Sequence, residues 1–226
     1  MMAGPDPPGP VLQFPYPQMT TQHIPLFPLN VVLLPGMSLP LHIFELRYKR
    51  MIKTVIDEES PFGVVLSREK GMATVGCTAV VRRVARTYPD GRMDIVTLGE
   101  SAFRIRAVHK DKEYLEATVE FMKEDLQPGP TAEAEELLTL FTDCHLLLHG
   151  SPPGDIDMDD QTDGLLSYRI ASELPLELET LQELLEIRIE AERRVKLIGR
   201  LNQLLPQLVQ IQQMRSKSAA NGHGPN

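Results

Sequence analysis

Residues 24–48 read Ile-Pro-Leu-Phe-Pro-Leu-Asn-Val-Val-Leu-Leu-Pro-Gly-Met-Ser-Leu-Pro-Leu-His-Ile-Phe-Glu-Leu-Arg-Tyr, and the parsing of this stretch decides the fold. It is mostly apolar up to Phe44, is broken by Pro25, Pro28, Pro35, Gly36 and Pro40, and turns charged at Glu45. Proline has no N–H to give a ladder, so it belongs at strand starts, edges or bulges. The stretch therefore reads as two strands, Ile24–Leu34 and Ser38–Phe44, with Pro35-Gly36 as the turn between them. From Glu45 the apolar period changes from 2 to 3.6. Leu46, Met51, Ile52, Val55 and Ile56 are placed on one face of a helix, with Arg47, Lys49, Arg50, Lys53 and Asp57 elsewhere.

Downstream the strands continue. Phe62–Ser67 is a short apolar strand, Arg68–Ala73 a loop and Thr74–Thr87 a longer strand. Tyr88-Pro89-Asp90-Gly91 is a strong hairpin signal, because proline presets one turn position and glycine is free to take positive φ. Arg92–Leu98 pairs back, and Gly99-Glu100-Ser101 reads as a further turn. The cleanest alternation follows. Phe103, Ile105 and Ala107 point one way and Arg104 and Arg106 the other; Leu115, Ala117, Val119 and Phe121 face in while Glu116, Thr118 and Glu120 face out. Antiparallel pairing of these two strands sets Arg against Glu, and Phe103 belongs to the core. Some six strands with one early helix describe a small closed or partly closed barrel, the β half (21–126) of an α+β chain.

Gln127-Pro128-Gly129-Pro130 is the hinge to a helical half (131–215). Thr131 is a candidate cap for a helix ending near His149 at Gly150, with Glu133, Glu135 and Glu136 suited to its positive N-terminus. An acidic loop occupies 150–163. Further helices follow at Leu165–Glu173, at Glu177–Glu186 and from Ile189, the last with Val195, Ile198, Leu201, Leu205 and Leu208 on one seam and Pro206 kinking or shortening it. Residues 1–20, with six prolines, and 216–226 read as disordered tails.

Composition narrows the function. The 226 residues are 42% hydrophobic and 24% charged, ordinary for a globular chain, with no apolar run long enough to span a membrane and no signal-peptide pattern. The two cysteines, Cys77 and Cys144, fit a reducing, cytoplasmic setting. A net charge of −8 hides segregation: Arg82, Arg83, Arg86, Arg92, Arg104 and Arg106 cluster in the strands, while acidic residues dominate 131–192. Aromatic content is 5% with no tryptophan, which argues against nucleic acid as the main partner, although the Arg82–Arg106 cluster keeps an RNA-binding alternative open.

No catalytic, cofactor or metal site emerges. His145 and His149 lie one helical turn apart, but Leu146 stands where a zinc protease needs glutamate. Adjacent Cys144 and His145 point about 100° apart on a helix and cannot form a hydrolytic pair. Asp155, Asp157 and Asp159 start like a calcium loop, yet Asp160 replaces its glycine and Leu166 its final glutamate. No phosphate-binding Gly-x-x-x-x-Gly-Lys run exists.

The segments PLFPLNVVLLPG and LPLHIFELRYKRMI, then TVGCTAVV, DGR, FRI and IASELPLELETLQELLE, resemble the N-terminal substrate-binding domain of the Lon protease family over roughly residues 22–210. One departure is Leu46, a position often proline in that family. The resemblance implies a PUA-like β pseudo-barrel followed by an α-helical bundle. It also implies a non-enzymatic protein- or peptide-binding role, an adaptor or regulator in protein quality control, since the sequence carries neither the ATPase nor the serine–lysine protease segment. The candidate peptide contacts are His42, Phe44, Glu45, Arg47 and Tyr48, where the second strand meets the first helix. Phe44 and Tyr48 have core packing as their alternative role, and Glu45 and Arg47 a local ion pair or cap.

Overall fold

The computed structural model describes residues 21–125, 131–154 and 165–221. Within them lie strands β1 Thr21–Leu29, β2 Ser38–Ile43, β3 Phe62–Arg68, β4 Gly71–Thr87, β5 Met93–His109 and β6 Glu116–Phe121. The helices are α1 Leu46–Asp57, α2 Thr131–His149, α3 Leu166–Ser172, α4 Leu178–Glu186 and α5 Glu190–Asn221. The strand order is β2-β5-β4-β3-β1-β6, and β6 returns to pair with β5, which closes a ring of five strands and leaves β2 on the side of β5. β1 and β3 run parallel. A parallel pair needs a crossover, and residues 30–61, with β2 and α1, supply it.

The α+β barrel expected from the alternation is present, with corrections in detail. The first strand ends at Leu29 rather than Leu34, and β1 pairs with β3 and β6, not with β2. Val32, Leu33 and Leu34 are buried without being strand, because the chain there dips against β5. The contact point is Gly99, where a Cβ would lie 2.2 Å from the Leu34 carbonyl oxygen. Gly99 is therefore no turn: it sits inside a 17-residue β5 as the place where another backbone must approach. The Arg68–Ala73 loop shrinks to Glu69-Lys70, with Gly71 at φ 99°. The turn at Tyr88–Gly91 forms as read, closed by Gly91 N to Tyr88 O at 2.9 Å with Gly91 at φ 78°. The Arg–Glu pairing across β5 and β6 also forms: Arg104 lies opposite Glu120, and the Arg106 guanidinium binds the Glu120 carboxylate. Glu116, expected to face outward, is buried under Lys112 (2.8 Å) and His23 (3.3 Å).

In α1 the buried face is Tyr48, Met51, Ile52 and Val55; Leu46 does not join it and is 59% exposed. One hydrophobic cluster runs from the barrel (Phe62, Val64, Cys77) through α1 to the helical half (Tyr168, Leu184, Leu201), while Phe103 centres a smaller one with Ile24, Leu26 and Val119. On α5, Leu197 takes the buried place given to Val195, which is exposed, and the helix continues through Pro206 to Asn221. The Gln127–Pro130 hinge, the Asp155–Asp163 loop and the tail 1–20 lie outside the described residues, as do 222–226.

A buried polar knot ties the halves together. The Glu190 carboxylate accepts from the Ser167 amide (3.0 Å) and hydroxyl (2.6 Å), from Arg193 (2.8 Å) and from Arg194 (3.0 Å). Arg193 also donates to Glu124, just after β6, at 2.6 Å and lies 4.0 Å over the Tyr168 ring. Glu190, Arg193 and Arg194 are each at most 1% exposed. Removing one member leaves charge buried without its counter-charge. Glu190→Ala should lower unfolding stability by about 3–5 kcal/mol, read from the urea midpoint. A midpoint unchanged from the parent would contradict the knot.

Candidate functional site

The site grows from the junction of β2 and α1. β2 is the last strand on its side of the sheet, paired only with β5 among the described strands. The Met37 carbonyl accepts from the Gly99 amide, so strand alternation turns Pro40 away from β5. The proline's missing N–H therefore falls on the open edge, which blunts strand addition there. Side chains, rather than the ladder, are what this edge presents.

Three elements meet at the corner. His42 Nδ1 lies 2.6 Å from Asp94 Oδ1 on β5, and the Tyr88 hydroxyl donates to Asp94 Oδ2 at 2.8 Å from the hairpin tip. The Tyr88 ring carries the guanidinium groups of Arg86 and Arg92 at 4.6 and 4.9 Å. His42 stacks toward Phe44 at 6.0 Å and meets Tyr88 edge-on at 5.9 Å. Phe44 itself is 61% exposed, beside the exposed Leu46 that opens α1. Glu45, the residue before the helix, makes no side-chain cap; it binds Arg47 at 2.8 Å. Tyr48 is buried, stacked on Phe27 at 4.1 Å with Arg47 4.5 Å over its ring, and burial raises its phenol pKa.

The five sequence candidates thus divide. His42, Phe44, Glu45 and Arg47 share one exposed corner, whereas Tyr48 supports it from below. Sequence reasoning passed over Leu46, placed on the wrong helical face, and Tyr88 and Asp94, read only as turn and strand residues. A signal did exist for the helix: Leu46, Lys49, Arg50, Lys53, Ile56 and Asp57 recur at the helical period, opposite the buried face. Part of that outward stripe lines a groove of about 350 Å³ against the hairpin tip (Thr87, Gly91, Met93). Lys49 Nζ fixes the tip by donating to the Asp90 carbonyl at 3.0 Å.

The other candidates gain nothing. His145 and His149 have rings 4.4 Å apart, and no group of three His, Cys, Asp or Glu side chains among the described residues gathers to hold a metal. Cys144 is fully buried and its thiol is pushed up to about 11, the opposite of an activated nucleophile. In the arginine cluster, Arg82 pairs with Glu100, Arg92 with Asp90 and Arg106 with Glu120, so much of its charge is answered locally. No described helix is long and apolar enough to cross a membrane.

The hydrogen bond from His42, then that from Tyr88, holds the Asp94 carboxyl below the ordinary aspartate range. A depressed pKa means the network stabilises the corner above that range and lets go as pH falls through the lowered value. In a carbon-detected NMR titration the Asp94 midpoint should therefore lie low in the parent and rise in His42→Ala, and by less in Tyr88→Phe. A midpoint indifferent to both substitutions would refute the network.

The architecture and this corner can be set beside known proteins. The family model described as the ATP-dependent protease La (LON) substrate-binding domain matches residues 23–203. The Lon protease of Parabacteroides distasonis is 29% identical over 195 residues, covering 79% of this chain and 24% of that protein. The Lon protease of Lawsonia intracellularis is 29% identical over 185 residues, covering 75% and 22%. The chain thus spans about a quarter of the length of these curated relatives. Among solved structures, a Lon N-terminal domain protein from Xanthomonas campestris superposes with a TM-score of 0.63 at 23% identity, over 79% of this chain and 98% of that one. The N-terminal domain of Mycobacterium avium complex Lon protease gives 0.63 at 18%, over 80% and 98%. These two likenesses concern the fold, and the family match spans most of the sequence: the chain belongs to the Lon substrate-binding domain family.

Proposed function

We propose that the chain binds segments of other proteins at the β2–α1 corner, with Phe44 and Leu46 as apolar contacts and His42, Glu45 and Arg47 as their polar surround. The observation that carries this reading is the pair of neighbouring large apolar side chains, 61% and 59% exposed, held out by a braced corner. The brace matters physically. Asp94 joins His42 and Tyr88 across two elements, so the corner is ordered before a ligand arrives and less conformational freedom is lost on binding. Membership of a family described by substrate binding gives the same direction. A role as adaptor or regulator in protein quality control follows as the biological form of that activity.

The chemistry on offer is holding, not bond cleavage. The buried thiols are raised in pKa, by burial above all, and the site itself contains an imidazole, a carboxylate and a phenol already bonded to one another. RNA binding finds no comparable support: Tyr88 already carries two guanidinium groups, and Arg82, Arg92 and Arg106 of the cluster are paired with carboxylates.

The test is Phe44→Ser with Leu46→Ser, measured by fluorescence anisotropy against labelled β-casein as an unstructured polypeptide. Both positions are exposed, so the melting midpoint should stay within the change expected for surface substitutions, about 0.5 kcal/mol. Affinity should fall about tenfold or more. Casein binding equal to the parent, with the fold intact, would contradict the assignment.

A further inference from the structure

The groove beside the corner has an uneven chemistry. Its floor is aliphatic, from the half-buried Ile56 and Met93, and its α1 rim is cationic, with Lys49, Arg50 and Lys53; Arg86 and Arg92 lie on the hairpin over the Tyr88 ring. Arg50 is paired with Glu113, and Arg92 with Asp90. Lys49 gives one N–H to a carbonyl, and neither it nor Lys53 nor Arg86 has a salt bridge among the described residues. Among the described residues, Asp57 is the one carboxylate that lines the groove. In a chain of net charge −8, this is a local reversal of sign around an apolar trough.

Its direction is also set. α1 from Leu46 to Asp57 is roughly 16 Å long at 1.5 Å per residue, the reach of about five extended residues. Phe44 and Leu46 stand at one end, and the groove follows along the same helical face. An extended segment laid there meets an apolar contact, then the cations along α1 beside an aliphatic floor. Lysine stems can cover the apolar residue while their ammonium groups stay at the rim.

We infer that the groove selects extended protein segments in which one large aliphatic or aromatic residue is flanked on both sides by Asp or Glu. This rests on the protein-binding reading above and adds the chemistry of the segment bound. The charge at the α1 rim favours acidic flanks through encounter and register, and disfavours basic ones. A nucleic acid would share the negative charge but not the rest. The floor offers Ile56 and Met93 rather than an aromatic platform, and bases held without one lose their stacking partner.

The experiment uses the full chain and three fluorescein-labelled peptides of about a dozen residues, identical in their central Leu-Phe and differing only in flanks of Glu, Gln or Lys. The Glu peptide should bind about tenfold tighter than the Gln peptide at low salt, and the Lys peptide weakest. The preference should shrink at about 0.5 M salt. Lys53→Gln, which leaves the Lys49 tie to the hairpin tip in place, should shrink it about threefold, with the thermal midpoint within the small change expected of a surface substitution. Equal binding of Glu and Gln peptides overturns this inference and leaves the protein-binding reading standing. Failure of all three peptides to bind removes both. Two further results overturn the inference alone: a single-stranded DNA oligonucleotide that binds tighter than the Glu peptide, or a dimer in sedimentation that the Glu peptide cannot dissociate, which would assign the groove to a second copy.

Discussion

Strand β5 hydrogen-bonds to three other strands, and the architecture follows from how it divides its length among them. Its first part, Met93–Leu98, lies between β2 and β4; its last part, from Phe103, pairs with β6 and closes the barrel. The change of partner falls at Gly99, where the Leu34 carbonyl leans against the strand and no side chain would fit. One strand therefore builds a closed core and also carries an arm beyond it. The corner and the groove both sit on that arm.

The arm would be loose without α1. The helix buries Tyr48, Met51, Ile52 and Val55 against the common core, and Lys49 ties its outer side to the hairpin tip. Burial of four such side chains, worth about 1.5–3 kcal/mol for each large apolar one, fixes which face points out. The outward face is then Leu46, the cations and Ile56 by necessity of the helical period. The mixed cationic and apolar character of this surface is a consequence of what the core demanded of the opposite face. The Glu190 knot extends the same economy to the helical half, since it reaches Glu124 beyond β6 and Ser167 on α3 from one end of α5.

Local patterns were legible in the sequence, and long-range approaches were not. The Pro-Asp-Gly turn, the Arg–Glu pairing of β5 and β6 and the helix at the end of the apolar stretch each express a rule that acts over a few residues. Each appears in the structure, although Ala107 is exposed, Glu116 is buried and Leu46 is turned outward. Gly99 was misread because a glycine required by a distant carbonyl looks the same in sequence as one required by a turn. The stretch Val31–Leu34 was misread as strand because burial, not pairing, makes it apolar. At the site, the candidates near the β2–α1 junction came from chain proximity. Tyr88 and Asp94 escaped because they lie more than forty residues away and reach His42 only through the β2–β5 register. Tyr48 shows the converse: an aromatic at a plausible position whose ring the core claims.

The central claim is that a ligand is held on the outward face of α1 and the hairpin tip, with the barrel as a rigid mount. Backbone amide NMR of the chain titrated with unstructured β-casein tests it most directly. The account predicts that shift changes and line broadening concentrate at residues 42–57 and 86–94 while the barrel interior and α3–α5 stay put. Changes centred on α2 or α5, or spread evenly over the molecule, would contradict it.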